Sequence, residues 1–534
     1  MGPTLLIGVD GATFAVLDPY IERGVTPFLG ELVQRGTRAP LRSVMPPLTP
    51  PAWTSLMTGK RPGQHGVFDF FQKEEPDSIY FQFASSQDIR SATIWSLASD
   101  QGRRVISLNF PLMFPPPAVV GCVVPGGMMP WRQLRLGCHP PGLFDRLKAV
   151  PAFKPREMLN MELEIKAIEG CPEDEYASWV DLHIDREQRW FEVARHLMHE
   201  EPAELIGVLF DGVDKLQHLC WRFIDPGYRP ARPSAWERQM IERCERYFQR
   251  LDSIIAELVT LAGPEATVVL ASDHGFGPTR EVFHVNSWLE REGYLAWADG
   301  DDGPPRHDGT EVGFAEVTRH VHALDWQHTL AYAATPSSQG INIVGRTPGG
   351  DEPLPDEARG RIVAELDMAL REMRRPGDRG PLVDEVWTRE RAYAGPYQEL
   401  GPDLSIVLAD GGTISILPSD DLVVQRDEVR GHHRWEGVFI ASGPGIREAD
   451  EVPELSIVDV APLVLHRLGL PVPDDMAGRV PIEIFEAGEL ERRPPRRGAT
   501  APWTEPGHEP ADLELDPDEQ AAVLQRLRAL GYVE

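Results

Sequence analysis

The feature that most constrains this chain is a series of short aliphatic runs, each closed by a polar residue and followed by helical periodicity. They are Leu5 to Val9, Val105 to Leu108, Leu205 to Phe210, Thr267 to Ala271, Ile406 to Leu408 and Val438 to Ala441. Runs this short and this apolar are what strands of a doubly covered sheet require, because neither side of the pleat meets water. Amphipathic helices lie between them. One is Pro27 to Gln34, with Thr26 as N-cap, Pro27 at the first helical position, and Phe28, Leu29, Leu32 and Val33 on one face. The alternation predicts an α/β protein with a mainly parallel central sheet covered by helices on both faces.

At 534 residues the chain has room for a large α/β unit with insertions. From Gly293 to Arg391 the pattern turns polar and rich in Gly and Asp, then gives a helix with Ile362, Leu366, Leu370 and Met373 at helical spacing. This segment reads as an inserted cap, dividing a core into residues 1–292 and 392–485. Residues 486–515, rich in Glu, Arg and Pro, predict a flexible linker. A C-terminal helix is expected over 516–534, with Asp516 as N-cap, Pro517 at its first position, Val523, Leu524, Leu527 and Leu530 on one face, and Gly531 beyond its end.

The net charge of −30 argues against broad adhesion to nucleic acid or an anionic membrane, both of which need a basic surface. It leaves a small anionic substrate open, because bound metal ions can reverse the field locally. Cys122, Cys138, Cys171, Cys220 and Cys244 are odd in number and lack paired spacing, which argues against a disulfide framework or a thiolate zinc site. The amino-terminal apolar run is too short and too soon acidic for a signal peptide, and no later run could span a bilayer. These features predict a cytoplasmic protein. They carry no indication of oligomeric state.

Several segments bearing acids or histidines sit where an apolar run gives way to a loop, and open α/β sheets bind ligands at such carboxyl ends. Asp10 follows the first run; alone it is as well read as a turn former. In Asp211-Gly-Val-Asp214-Lys-Leu-Gln-His218, one helical turn puts Asp214 and His218 on the same side, as two ligands of one metal would be. Asp211 is the poorer candidate of that segment. Ser272-Asp273-His274-Gly275-Phe-Gly277 is the most specific, since two adjacent ligand types at the end of a buried strand are hard to explain as packing. In Gly431-His432-His433-Arg434 either histidine could complete a coordination sphere. Carboxylate and imidazole without thiolate suit Zn²⁺, Mn²⁺ or Fe, and the ligand count suits two ions.

Leu48-Thr49-Pro50-Pro51-Ala52-Trp53 opens a short helix that stops at Gly59. Thr49 reads as its N-cap, so that its hydroxyl faces free N–H groups where an anion is welcome. A plain capping threonine is the simpler alternative.

With these residues in place, the chain resembles the alkaline phosphatase superfamily, and within it the type I phosphodiesterase/nucleotide pyrophosphatase family. The segment Thr49 to Gly59, followed by Pro62-Gly-Gln-His65-Gly66, is similar to the family's nucleophile segment, and the likeness extends to about residue 485. The resemblance implies an alkaline phosphatase-like fold, two divalent metal ions with Zn²⁺ favoured, and hydrolysis of a small phosphoester through a phosphothreonine on Thr49. It implies that Asp10, Thr49, Asp273 and His274 hold one ion while Asp214, His218 and His433 hold the other. Ile457 to Pro462 and Leu468 to Gly478 resemble a helix and turn that close the core.

One departure is Ala52, where many relatives carry an Asn that donates to a phosphoryl oxygen. Lys215, His284 and the N–H groups of the Thr49 helix are the candidate replacements. Two other functions stay open: a phosphomonoesterase or phosphoglycerate mutase-like phosphotransferase, and a non-catalytic anion-binding protein.

Overall fold

The computed structural model describes residues 2–499 apart from 74–77, 79–80, 128, 167–172, 299–322, 348, 351 and 378. At its centre lies a sheet in the order Asp450–Glu451, Gly36–Arg42, Glu436–Ser442, Thr267–Ala271, Thr4–Val9, Leu205–Phe210, Val105–Leu108, Gly121–Val124, with Leu455–Ser456 also pairing on Gly36–Arg42. All of its pairings are parallel except those of Glu436–Ser442, which runs against both neighbours. The α/β expectation, the mainly parallel sheet and five of the six predicted strands are therefore found where the aliphatic runs stand.

Alternate residues of each strand feed opposite faces, as the pleat requires. Leu5, Ile7 and Val9 join one core with Ile206, Val208 and Phe210, whereas Leu6 joins the other with Leu205, Leu209, Val269 and Ala271. The first face is covered by helices that include Glu173–Glu200, Gly212–Ile224 and Ala235–Ala262, and the second by Thr49–Thr58, Ile94–Asp100 and Val460–Arg467. Gly8 is small for a packing reason: a Cβ there would stand 2.7 Å from the Trp53 ring and 2.6 Å from Leu209. No helix among the described residues is long and apolar enough to cross a membrane.

Helix Pro27–Gln34 forms as its pattern predicts, but Thr26 makes no side-chain capping bond. Asp252 of helix Ala235–Ala262 does this instead, accepting from the N–H groups of Phe28 at 3.0 Å and Leu29 at 2.8 Å. Similarly, Thr49 is the first residue of its helix rather than the cap; Leu48 holds the cap position, and Gly59 ends the helix in the left-handed region at φ +66°.

Strand pairing runs across the carboxyl limit expected for the inserted segment. Ile406 to Leu408 is no strand of the central sheet. Leu404–Leu408 pairs antiparallel with Gly340–Ile343 and Val383–Thr388 in a separate four-stranded sheet completed by Ala331–Tyr332. A boundary at Arg391 would cut between two paired strands. Helix Asp356–Glu372 packs on this sheet through Leu366 and Leu370. A further sheet joins Gly275–His284 to Thr413–Ser415 and Val423–Arg434.

Residues 487–498 also depart from the expected flexible linker. Ala487–Arg492 is helical and Arg497–Gly498 pairs with Val472–Pro473, because Glu489 is buried against Arg467 at 3.1 Å. The predicted helix 516–534 lies outside the described residues.

Asp69 fastens the four-stranded sheet to the core. Its carboxylate accepts from Thr335 Oγ1 at 2.5 Å, Ser337 Oγ at 2.6 Å and the Phe70 N–H at 2.6 Å. Burial nevertheless raises its pKa from 3.8 to about 6. The folded state therefore holds this proton more tightly than the unfolded chain, and the associated stability is whole below about pH 4 and lost as pH rises through about 6. We expect Asp69→Asn to remove this slope, worth about 3 kcal/mol, when urea unfolding is followed from pH 4 to 7. Parallel curves for the two proteins would refute it.

Candidate active site

Strand register brings the candidate ligands together. Val9 pairs with Phe210 and Gly8 with Ala271, so three neighbouring strands end at one level. The residues that follow are Asp10, the turn entering helix Gly212–Ile224 that carries Asp214 and His218, and the pair Asp273 and His274. The remaining histidine comes from elsewhere. Strand Val423–Arg434 runs antiparallel to Gly275–His284 with His433 opposite Phe276, which stacks the His433 ring on His274 at 3.5 Å between centroids.

Two buried groups of potential ligands result: Asp10, Asp273 and His274, and Asp214, His218 and His433, the ligand atoms within each lying within 4.8 Å of one another. In the first, His274 Nε2 stands 3.2 Å from Asp273 Oδ2 and 3.6 Å from Asp10 Oδ1. In the second, His433 Nε2 stands 3.1 Å from Asp214 Oδ1 and 3.2 Å from His218 Nε2. The groups adjoin, with His274 Nε2 4.0 Å from Asp214 Oδ1. His432 belongs to neither; its Nδ1 accepts from the His433 N–H.

These residues fit divalent ions. Asp10 Oδ1, Asp273 Oδ2 and His274 Nε2 are buried without a hydrogen-bond partner, a costly state for polar atoms that share one space. Burial, then the charges of Asp273 and Asp214, raises the Asp10 pKa well above the usual carboxylate range. A cation removes that penalty by pairing with the charged forms. Outer contacts set the imidazoles as metal ligands need them: His274 Nδ1 lies 3.1 Å from the Gly275 carbonyl and His433 Nδ1 2.7 Å from that of Pro47. With Nδ1–H donating to a carbonyl, Nε2 is left as the lone-pair atom facing the group.

Thr49 opens a helix whose flanking segment is bonded to this arrangement. Pro50 to Thr58 are all buried, whereas Thr49 keeps partial exposure at the amino end of the helix. Two bonds tie the chain on either side of it to one ligand of each group: the Pro47 carbonyl accepts from His433, and Trp53 Nε1 donates to Asp10 Oδ2 at 3.1 Å. At the far end, the Gly59 carbonyl accepts from the Ala477 and Gly478 N–H groups, so the turn after Leu468 closes the core there. His65 is structural; it lies 2.9 Å from Ser55 Oγ, and burial lowers its pKa to about 3.

The proposed replacements for the missing Asn fare differently. Ala52 is fully buried, among core side chains that include Trp53. Lys215 is 3 % exposed, and its Nζ pairs with Asp211 Oδ2 at 2.8 Å and Glu164 Oε1 at 3.4 Å. His284 lies at the opposite end of strand Gly275–His284, about 30 Å along it, with Nδ1 3.1 Å from the Leu417 carbonyl. The third candidate, the N–H groups of the Thr49 helix, belongs to the segment that Pro47 and Trp53 bond to the ligand groups.

Sequence reasoning missed the support of the Asp214 helix. Glu187 Oε1 accepts from the Gly212 N–H at 2.8 Å and from Tyr247 Oη at 2.8 Å, and burial raises this carboxyl to about 8. Only the four-residue spacing of Asp211 and Lys215 hinted at that network; Glu164 and Glu187 lie in other helices.

Acid and imidazole groups thus gather at the carboxyl ends of a mainly parallel, doubly covered sheet, where α/β enzymes hold their ligands. The chain belongs to the type I phosphodiesterase / nucleotide pyrophosphatase family, whose sequence pattern matches residues 4–436. It is a phosphoric ester hydrolase. Similar solved structures include human ectonucleotide pyrophosphatase / phosphodiesterase 5, at 15% identity and a TM-score of 0.48 over 88% of this chain and 95% of that one. The murine protein, as an inactive variant in complex with AMP, gives 14% identity and a TM-score of 0.48 over 88% and 96%.

Proposed function

We propose that this chain cleaves phosphodiester or nucleotide pyrophosphate bonds using two divalent metal ions and Thr49 as nucleophile. The observation that carries this reading is the pair of adjoining buried ligand groups, tied through Pro47 and Trp53 to the segment that presents Thr49. Asp10, Asp273, His274 and Thr49 would hold one ion, and Asp214, His218 and His433 the other, with Zn²⁺ favoured over Mn²⁺ or Fe by the ligand set. When bound, such ions lower the pKa of a hydroxyl and neutralise charge on phosphoryl oxygens.

Thr49 Oγ attacks phosphorus as the bond to the leaving oxygen breaks, and that oxygen departs with a proton. Water then bonds to phosphorus, the bond to Oγ breaks, and the threonine hydroxyl returns. The N–H groups at the amino end of the helix face the anion during both displacements. Beside His433 a cavity of about 580 Å³, bordered by Met45, Pro47, Arg434 and Trp435, has room for a leaving group.

Parallel assays on a nitrophenyl phosphodiester and the matching monoester test the reading. Diester cleavage should exceed monoester cleavage by at least about tenfold, a transition-state preference near 1.4 kcal/mol. A preference for the monoester would replace the reading with that of a phosphomonoesterase.

A further inference from the structure

At the other end of the central sheet lies a cleft of about 610 Å³ that the proposed chemistry does not use. Gly2 and Arg103 reach it from just before the strands Thr4–Val9 and Val105–Leu108, and Arg467, at the end of helix Val460–Arg467, donates through Nε to Oγ1 of Thr267, the first residue of its strand, at 2.9 Å. The six-residue step from Thr267 to Asp273 puts the cleft about 20 Å from the ligand groups. Its other wall is built by Arg492, Arg493 and Arg496, from the segment 487–498 that the sequence presented as a linker.

The charge here is opposite to that of the molecule. Five arginines border the cleft, yet two carboxylates serve them. Glu489 alone takes three guanidinium groups, from Arg467 at 3.1 Å, Arg492 at 2.9 Å and Arg493 at 3.1 Å, and Glu204 takes Arg103 at 3.5 Å. Arg496 donates to the Gly469 carbonyl, which brings no charge. Three positive charges are left uncompensated among the described residues, in a chain of net charge −30. His466, 6 % exposed in the same lining, has an Nε2 with no hydrogen-bond partner. Like charges held together in a concave space repel, and an anion bound among them offsets that cost.

We propose that this cleft is a second anion site, taking a small molecule with two or three linked phosphoryl groups. Guanidinium forks match phosphoryl oxygens in pairs, and three excess charges match such an anion. The volume falls within the range of small-ligand sites. Arg467 and Glu489 form the buried floor, with side chains 5 % exposed, while Arg492 and Arg493, paired with Glu489 yet 65 % and 40 % exposed, can share their guanidinium groups with a ligand. Bound anion would link helix Val460–Arg467 to the segment 492–496, and helix Val460–Arg467 packs on the Thr49 helix.

The test is calorimetric titration of inorganic tripolyphosphate into full-length Thr49→Ala protein, which prevents turnover of the probe. The same protein carrying Arg492→Ser and Arg493→Ser is compared in about 150 mM salt, where loose surface attraction is screened beyond ~8 Å. Binding at the metal groups is common to both proteins and cancels. Affinity should fall about tenfold or more in the double variant, while Arg135→Ser, at an exposed arginine outside the cleft lining, leaves it unchanged. Introduced into the otherwise unaltered chain, the double substitution should keep diester turnover within about twofold, showing an intact fold. Equal affinity in both proteins overturns the proposal. So does equal competition by sulfate, which would mark general attraction for anions rather than a site for linked phosphoryl groups.

Discussion

Thr49→Ala should abolish turnover, by about 10⁴-fold or more, while leaving the protein folded and its metal content nearly unchanged. Alanine suits the first position of a helix, and no core contact is removed, since the rest of the helix is buried without the help of this side chain. Trp53 keeps its bond to Asp10, and Pro47 keeps His433. Six of the seven proposed ligands therefore remain in place. Thr49→Ser retains a hydroxyl at the same position and should keep measurable activity. Turnover of a nitrophenyl diester, metal analysis and thermal unfolding on the same preparations separate the cases. Full activity in Thr49→Ala would end the covalent scheme.

Asp273→Ala should have the other signature, losing metal together with rate. The carboxylate serves the first ligand group and also accepts from the Gly11 N–H at 3.2 Å, so its removal takes a ligand and frees the loop that carries Asp10. Bound metal should fall from about two ions per chain to about one, because Asp214, His218 and His433 form their own group. The loss of one stabilising ligand should also lower the melting temperature in a manner that depends on free metal concentration. Asp273→Asn is the companion variant, preserving the acceptor for Gly11 but not the negative charge. An unchanged ion count by elemental analysis in Asp273→Ala would show the ligand assignment to be mistaken.

Much of this site was legible because its signals are local. A carboxylate and an imidazole four residues apart on one helix face, as with Asp214 and His218, need no tertiary information to be placed together. The same holds for Asp273 and His274 at the end of an apolar strand, and for the helix from Thr49 to Gly59. The strands were legible for a similar reason: burial on both faces leaves an uninterrupted aliphatic run, whatever the order of the strands. Leu404–Leu408 shows the limit of that signal, since an apolar run does not say which of several sheets will pair with it.

Errors gathered where the outcome depends on a distant partner. Lys215 looked available because a lysine near a candidate site can reach an anion, but Glu164, from a helix some fifty residues earlier, joins Asp211 in holding it. His284 looked close in sequence to His274, yet an extended strand adds about 3.3 Å with every residue and carries it away. The segment 486–498 had a linker's composition and became structure through the burial of Glu489 among arginines.

The sequence by itself determined the strands, the family, the residue types at the site and the threonine that leads its helix. These follow from local periodicity and spacing. Only the tertiary structure decided that Glu164 joins Asp211 in holding Lys215, that Ala52 is buried in the core, and that a basic cleft opens at the opposite end of the sheet from the ligand groups. Each of these depends on strand register or on which side chains from remote segments share a buried space, and neither is written in any single stretch of chain.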